Sequence, residues 1–218
     1  MVKPHTEPPI LIRTNGITLE GILEVPRDAQ GTVLFAHGSG SGRFSPRNNF
    51  VAAQLREHRL ATLLIDLLTV AEDEIYQNRF DIELLTDRLA STARWLQAES
   101  DVRDLPLGLF GASTGAASAL RLAALMGERI SAVVSRGGRP DLAGESLPQV
   151  TAPTLLIVGG NDHEVLELNR LAFQKLRAEK ELAIIPGATH LFEEPGTLAM
   201  VAEKAGEWFI RFLPPRRQ

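Results

Sequence analysis

Cysteine is absent from the 218-residue chain, which excludes disulfides, thiolate metal sites and a cysteine nucleophile, and fits a reducing compartment. Dense basic runs are missing too, up to the short Arg216-Arg217 pair. With a formal net charge of -4 and a pI near 5.8, the chain has no global attraction to a polyanion, so no nucleic-acid partner is expected. No apolar run approaches the ~18 residues of a bilayer span. Met1 to Pro9 also lacks the apolar core of a signal peptide, so a cytoplasmic protein with no membrane partner is expected. Repeats, low-complexity tracts and long linkers do not occur either, and a single domain over residues 1–218 is expected. With 44% hydrophobic residues, that length supports one substantial core.

What is present is a regular order of elements. Ile10 to Pro26 holds two β-rich runs around Asn15-Gly16, a pair suited to positive φ at a tight turn, so an antiparallel hairpin is expected. Short apolar runs follow at Thr32–Ala36, Ala61–Asp66, Pro106–Phe110, Ala132–Ser135, Thr154–Val158 and Leu182–Ile185. They lack alternation, as strands covered on both faces should. Between them, helical spacing predicts Pro46–His58, Ile82–Ala98, Thr114–Met126, Val165–Ala178 and Leu198–Phe212. The fold class is therefore α/β, a mainly parallel twisted sheet with an N-terminal antiparallel hairpin and helices on both faces.

Gly111-Ala112-Ser113-Thr114-Gly115 lies between a predicted strand and a predicted helix, the context that a G-x-S-x-G nucleophile elbow requires. The same five residues could be only a small-residue turn capping a helix. The acid and base of a triad follow in the chain order that accompanies such an elbow. Asp162 stands after the strand Thr154–Val158, 49 residues beyond the serine, and His190 after Leu182–Ile185, 28 residues further on. A serine hydroxyl is a poor nucleophile at neutral pH, so His190 is expected to take its proton and return it to the leaving group. Asp162 is expected to hold His190 in the right tautomer. Glu164 and Asp66 are the rival acids, and Glu164 is expected to open the following helix.

Thr114 N–H is the first candidate oxyanion donor. The second comes from His37-Gly38-Ser39-Gly40-Ser41-Gly42-Arg43, whose missing side chains free backbone amides; Ser39 is the choice, with Gly40 behind it. His37 reads as a packing residue beneath that loop. This stretch superficially looks like a dinucleotide-binding unit ending in Asp66, but the third glycine position holds Arg43, and no Gly-Lys-Ser/Thr ends the loop.

Four arginines fall at the same rim: Arg43, Arg47, Arg136 and Arg139. A guanidinium is a rigid fork suited to carboxylate or phosphate, so Arg43 or Arg136 is expected to bind an anionic group of the substrate. The plainer reading has Arg136 and Arg139 bracing their loop against Asp141 or Glu145.

The chain resembles the dienelactone hydrolase-like branch of the α/β-hydrolases from the hairpin to Trp208-Phe209. The likeness is strongest in His37–Arg43, Asp66-Leu67-Leu68-Thr69, the elbow, Arg136-Gly137-Gly138-Arg139-Pro140-Asp141-Leu142-Ala143 and Gly187-Ala188-Thr189-His190-Leu191-Phe192. The resemblance implies a Ser113-Asp162-His190 triad, an oxyanion hole and no metal or organic cofactor. Similar hydrolase domains occur fused to phosphoribosyltransferases, a module these residues do not include. Dienelactone hydrolases proper use a cysteine nucleophile, so Ser113 shifts the expectation to a carboxylesterase acting on a small ester or lactone through an acyl-enzyme. Peptidase, thioesterase and acyltransferase chemistry fit the same triad, and a non-catalytic binding member is the alternative of another class. Only 15 residues separate the strand end at Ser135 from Thr151, leaving no room for a large cap, and an open, shallow site is expected.

Overall fold

A computed structural model of the chain describes residues 9–213. Most of the N-terminal segment read above, including His5, and the Arg216-Arg217 pair lie outside them. β1 (Ile10–Thr14) and β2 (Ile17–Glu24) form the antiparallel hairpin. Its turn places Asn15 and Gly16 at φ of 45° and 80°, both positive as this tight turn needs.

Six further strands complete the sheet: β3 (Gly31–Ala36), β4 (Leu60–Ile65), β5 (Leu107–Ala112), β6 (Ala132–Arg136), β7 (Thr154–Gly159) and β8 (Lys180–Ile185). Their spatial order is β1-β2-β4-β3-β5-β6-β7-β8. The hairpin joins β4 antiparallel, and every pairing from β4 to β8 is parallel.

Side chains alternate across the strands and so build two cores. From β3, Val33 and Phe35 join one core with Val51 and Leu55 of α1 (Pro46–Glu57) and Ala205 and Phe209 of α6 (Thr197–Phe212). Leu34 and Ala36 join the other with Leu89 of a long helix (Ile82–Leu96), Leu120 of the helix after β5 (Thr114–Met126) and Ala172 of the helix after β7 (His163–Lys175). A four-residue helix, Val70–Asp73, precedes the long one, so the helices in chain order are α1, α2 (Val70–Asp73), α3 (Ile82–Leu96), α4 (Thr114–Met126), α5 (His163–Lys175) and α6. Among the described residues no helix is long and apolar enough to cross a membrane.

The chain leaves β3 for β4 on one side and later enters β5 on the other. Loops at the carboxyl ends of β3 and β5 therefore diverge and open a crevice, where α/β sheets place their sites. The β6–β7 connection holds only a 3-10 stretch, Pro140–Gln149, and no large cap. Helix α5 starts two residues before the sequence-based expectation, at His163, because Asp162 already takes the capping position. Helix α2 is not anticipated at all, although Thr69 and Glu72 form a reciprocal capping box there, a pattern that marks a helix start.

Candidate active site

β5 ends at Ala112, and α4 begins at Thr114, which leaves one residue to reverse the chain. That residue is Ser113, held at φ 51°, ψ -121°. Such backbone is sparsely populated for a side chain bearing a Cβ and persists only where the surroundings fix it. The flanking glycines supply the room. A Cβ at Gly115 would lie 2.2 Å from the Ala36 carbonyl oxygen, and one at Gly111 2.4 Å from Ala116 Cα.

After β7 the chain turns through Gly160 and Asn161 to Asp162, whose side chain is 14% exposed and whose Oδ2 accepts a hydrogen bond from His190 Nδ1 at 2.7 Å. The rival acids are engaged elsewhere. Asp66 accepts the Arg43 amide and guanidinium, and Glu164 lies in the first turn of α5. A proton on His190 Nδ1 leaves Nε2 as the free basic nitrogen. The loop carrying His190 is braced from behind, where Glu194 accepts the Thr189 amide at 3.1 Å and its hydroxyl at 2.6 Å.

Residues 136–139 tie the serine to the histidine. Ser113 N–H donates to the Arg136 carbonyl at 3.3 Å, and Arg139 N–H donates to the Ser113 carbonyl at 3.0 Å. Between them Gly137, at φ 50°, is so close to His190 that an added Cβ would lie 3.1 Å from its carbonyl oxygen and 3.6 Å from its Cε1. One tight segment thus grips the serine backbone on one side and the histidine on the other.

On the opposite flank the β3 loop closes against the same serine, since a Cβ at Gly38 would come within 3.0 Å of Ser113 Cβ. The Ser39 amide donates to Thr114 Oγ1 at 3.1 Å, so this donor candidate is held by the hydroxyl of the other. Sequence reasoning does not foresee that contact. His37 is buried under the loop: Nδ1 donates to the Gly38 carbonyl at 2.9 Å, and Nε2 accepts the Leu67 amide at 3.0 Å, a pattern that needs the neutral ring. Burial pushes its pKa below the ordinary 6.5, outweighing the Gly38 carbonyl and the charges of Asp66 and Asp73. The stability this contributes is full above the unfolded value of 6.5 and is lost as pH falls through it toward the lower folded value, because the unfolded chain then binds the extra proton. Calorimetry in that window should show the wild type losing melting temperature more steeply than His37→Gln, whose amide cannot titrate; equal slopes would remove His37 as the source.

The arginine rim needs a correction. Arg43 is not available to an anion, because its fork is held by Glu20 and Asp66 and its guanidinium lies 4.4 Å from the Phe44 ring centroid. Arg139 braces its loop, bidentate to Asp141 at 2.9 and 2.8 Å. Arg47 pairs with exposed Glu193 at 3.1 Å. Arg136 differs from all three in having no carboxylate partner: it is buried, its Nη2 donates to Asn48 Oδ1 at 3.2 Å, and its Nε, like that of Arg43, has no partner. Burial first, and the charge of Arg47 second, lower its pKa to about 10.

Comparison with known proteins gives a consistent family. Residues 29–205 match the alpha/beta hydrolase domain family. A dienelactone hydrolase from Anabaena variabilis is 53% identical and superposes with a TM-score of 0.91, covering 94% of this chain and 97% of its own. Est1E from Butyrivibrio proteoclasticus is 18% identical with a TM-score of 0.79, over 93% of this chain and 98% of its own, a likeness of fold. A Mycobacterium tuberculosis H37Rv protein bearing the provisional name phosphoribosyl transferase is 52% identical over 210 residues, 96% of this chain and 47% of the relative. The chain thus spans about half the length of the curated relatives it matches.

Proposed function

We propose that this chain, which belongs to the dienelactone hydrolase-like branch of the α/β-hydrolase family, is a hydrolase that cleaves a small carboxylic ester or lactone through an acyl-enzyme on Ser113. The observation that carries the reading is the 2.7 Å hydrogen bond between His190 Nδ1 and Asp162 Oδ2, beside a serine on a strained strand-to-helix turn. Asp162 fixes the tautomer and stabilises the imidazolium that forms. His190 Nε2 takes the Ser113 hydroxyl proton as Oγ attacks the carbonyl carbon, then gives it to the departing alkoxide. Water repeats the sequence and releases the acid.

The oxyanion is received by the Thr114 amide at the start of α4 and by the Ser39 amide, which the substrate oxygen must share with Thr114 Oγ1. The transferase name of the longer relatives is not carried over, because it describes proteins of which this chain matches about half. Fluorophosphonate labelling tests the reading directly. A single adduct on Ser113, abolished in His190→Ala, is expected. A folded protein that remains unlabelled would sink the enzyme reading in favour of a binding member of the fold.

A further inference from the structure

Two arginines are buried in the described protein, Arg88 and Arg136, each 7% exposed. Arg88 donates to Glu72 at 2.6 Å, as a buried guanidinium normally must, since an unpaired buried charge is costly. Arg136 has no carboxylate. Its polar contact is the single bond to Asn48, a neutral amide; Nε is buried without a partner in both arginines, so the missing carboxylate is what sets Arg136 apart. The Phe192 ring lies 5.9 Å from its guanidinium carbon, too weak a contact to replace an anion. Carboxylates are not scarce in a chain with 27 of them, so the missing partner is a property of this position.

The position explains what is missing. Val134 of β6 faces the core shared with α1 and α6, and Arg136, two residues on, projects to the same side at the carboxyl end of the sheet. Its own carbonyl receives the Ser113 amide, and the next residue packs on His190. The guanidinium therefore springs from the segment that holds the serine and the histidine together. The charge that acts on it most is Arg47, of the same sign, and Arg47 is tied only to exposed Glu193.

We infer that Arg136, with Arg47 and Asn48 at the start of α1, forms a subsite for a phosphate-like dianion carried by the substrate. This assignment rests on the hydrolase reading above and names the substrate class. A carboxylate would satisfy Arg136 and leave Arg47 to its exposed, solvent-screened pair with Glu193. A phosphate supplies two charges and three acceptor oxygens, enough for Arg136 and Arg47 together.

The test compares three p-nitrophenyl esters of one chain length, ending in phosphate, carboxylate or neutral methyl ester, on wild type, Arg136→Met and Arg136→Lys. Wild type should prefer the phosphorylated ester over the neutral one by at least about tenfold in kcat/KM, on the order of one good charge-assisted contact. Arg136→Met should bring that ratio close to one, and Arg136→Lys should keep part of it. Inorganic phosphate should raise the melting temperature of wild type but not of Arg136→Met. Without phosphate the Met variant should melt no lower than wild type, because removing an uncompensated buried charge is neutral or stabilising.

Preference for the carboxylated ester would overturn the dianion assignment. So would a wild-type melting temperature indifferent to phosphate, or an equal loss of activity on all three esters in Arg136→Met. The phosphate titration reads the subsite without catalysis. A protein that binds phosphate yet hydrolyses none of the three esters and leaves Ser113 unlabelled would refute the esterase reading while keeping the subsite.

Discussion

Ser113→Ala and His190→Ala are each expected to lower kcat for ester hydrolysis by on the order of 10⁴ to 10⁶, with the two changes combined costing scarcely more than either alone. The non-additivity follows from the chemistry. A hydroxyl that cannot lose its proton and a base with no hydroxyl to serve are equally idle, so each group is worth its full effect only while the other is present. Neither substitution should disturb the fold. Ser113 is anchored through its backbone to Arg136 and Arg139, and the loop of His190 is braced independently by Glu194. Asp162→Asn should cost less than either, because Asp162 orients a proton and does not transfer one. Steady-state kinetics in protein free of host esterases, with circular dichroism as control, decides the matter. Wild-type turnover in Ser113→Ala would show that the elbow is not the site.

Gly115→Ala should be the most damaging substitution to folding, although it adds one methyl group. The new Cβ would stand 2.2 Å from the Ala36 carbonyl oxygen and 2.5 Å from that of His37. Both are backbone atoms at the end of the central strand β3, paired to β4 and β5, so neither can give way. Overpacking a core by a methyl group costs about 1–3 kcal/mol where side chains can adjust, and here the clash is with main chain, so a loss of about 3 kcal/mol or more is expected. Gly196→Ala is the internal comparison. Nothing lies within 4 Å of its added Cβ, and only its left-handed backbone, φ 83° and ψ -16°, is strained, a cost of roughly 1–2 kcal/mol. Urea titration of both variants measures the difference, and equal midpoints would refute the steric account.

The contact between Asp162 and His190 is legible in the sequence because each follows a buried strand by a few residues, and parallel strands all deliver such loops to one edge. The hairpin is legible from Asn15-Gly16, and the two cores from apolar runs without alternation. Side-chain pairing across the fold is not. Arg43 looks free in a glycine-rich loop, but Glu20 returns to it from the hairpin because β2 pairs with β4, a strand distant from it along the chain. Arg136 and Arg139 look alike, three residues apart, and only the structure shows that Asp141 serves one and leaves the other without an anion. Phe192 at φ 56° and the bond from the Ser39 amide to the Thr114 hydroxyl are products of tertiary closeness that no local pattern encodes. Helix α2 is different, since its Thr69-Glu72 capping box is written in the sequence and passes unnoticed because a four-residue helix has no periodicity to detect.

Strand β8, which delivers His190, pairs with β7 and stands at the margin of the sheet. Ser113, by contrast, follows β5, which has β3 on one side and β6 on the other. The stability of a fold is not uniform, and an outer strand with one neighbour is held by fewer partners than an inner one with two. Native-state hydrogen exchange is therefore expected to release the amides of β8 before those of β5, and release of both together would show that the sheet opens as one unit.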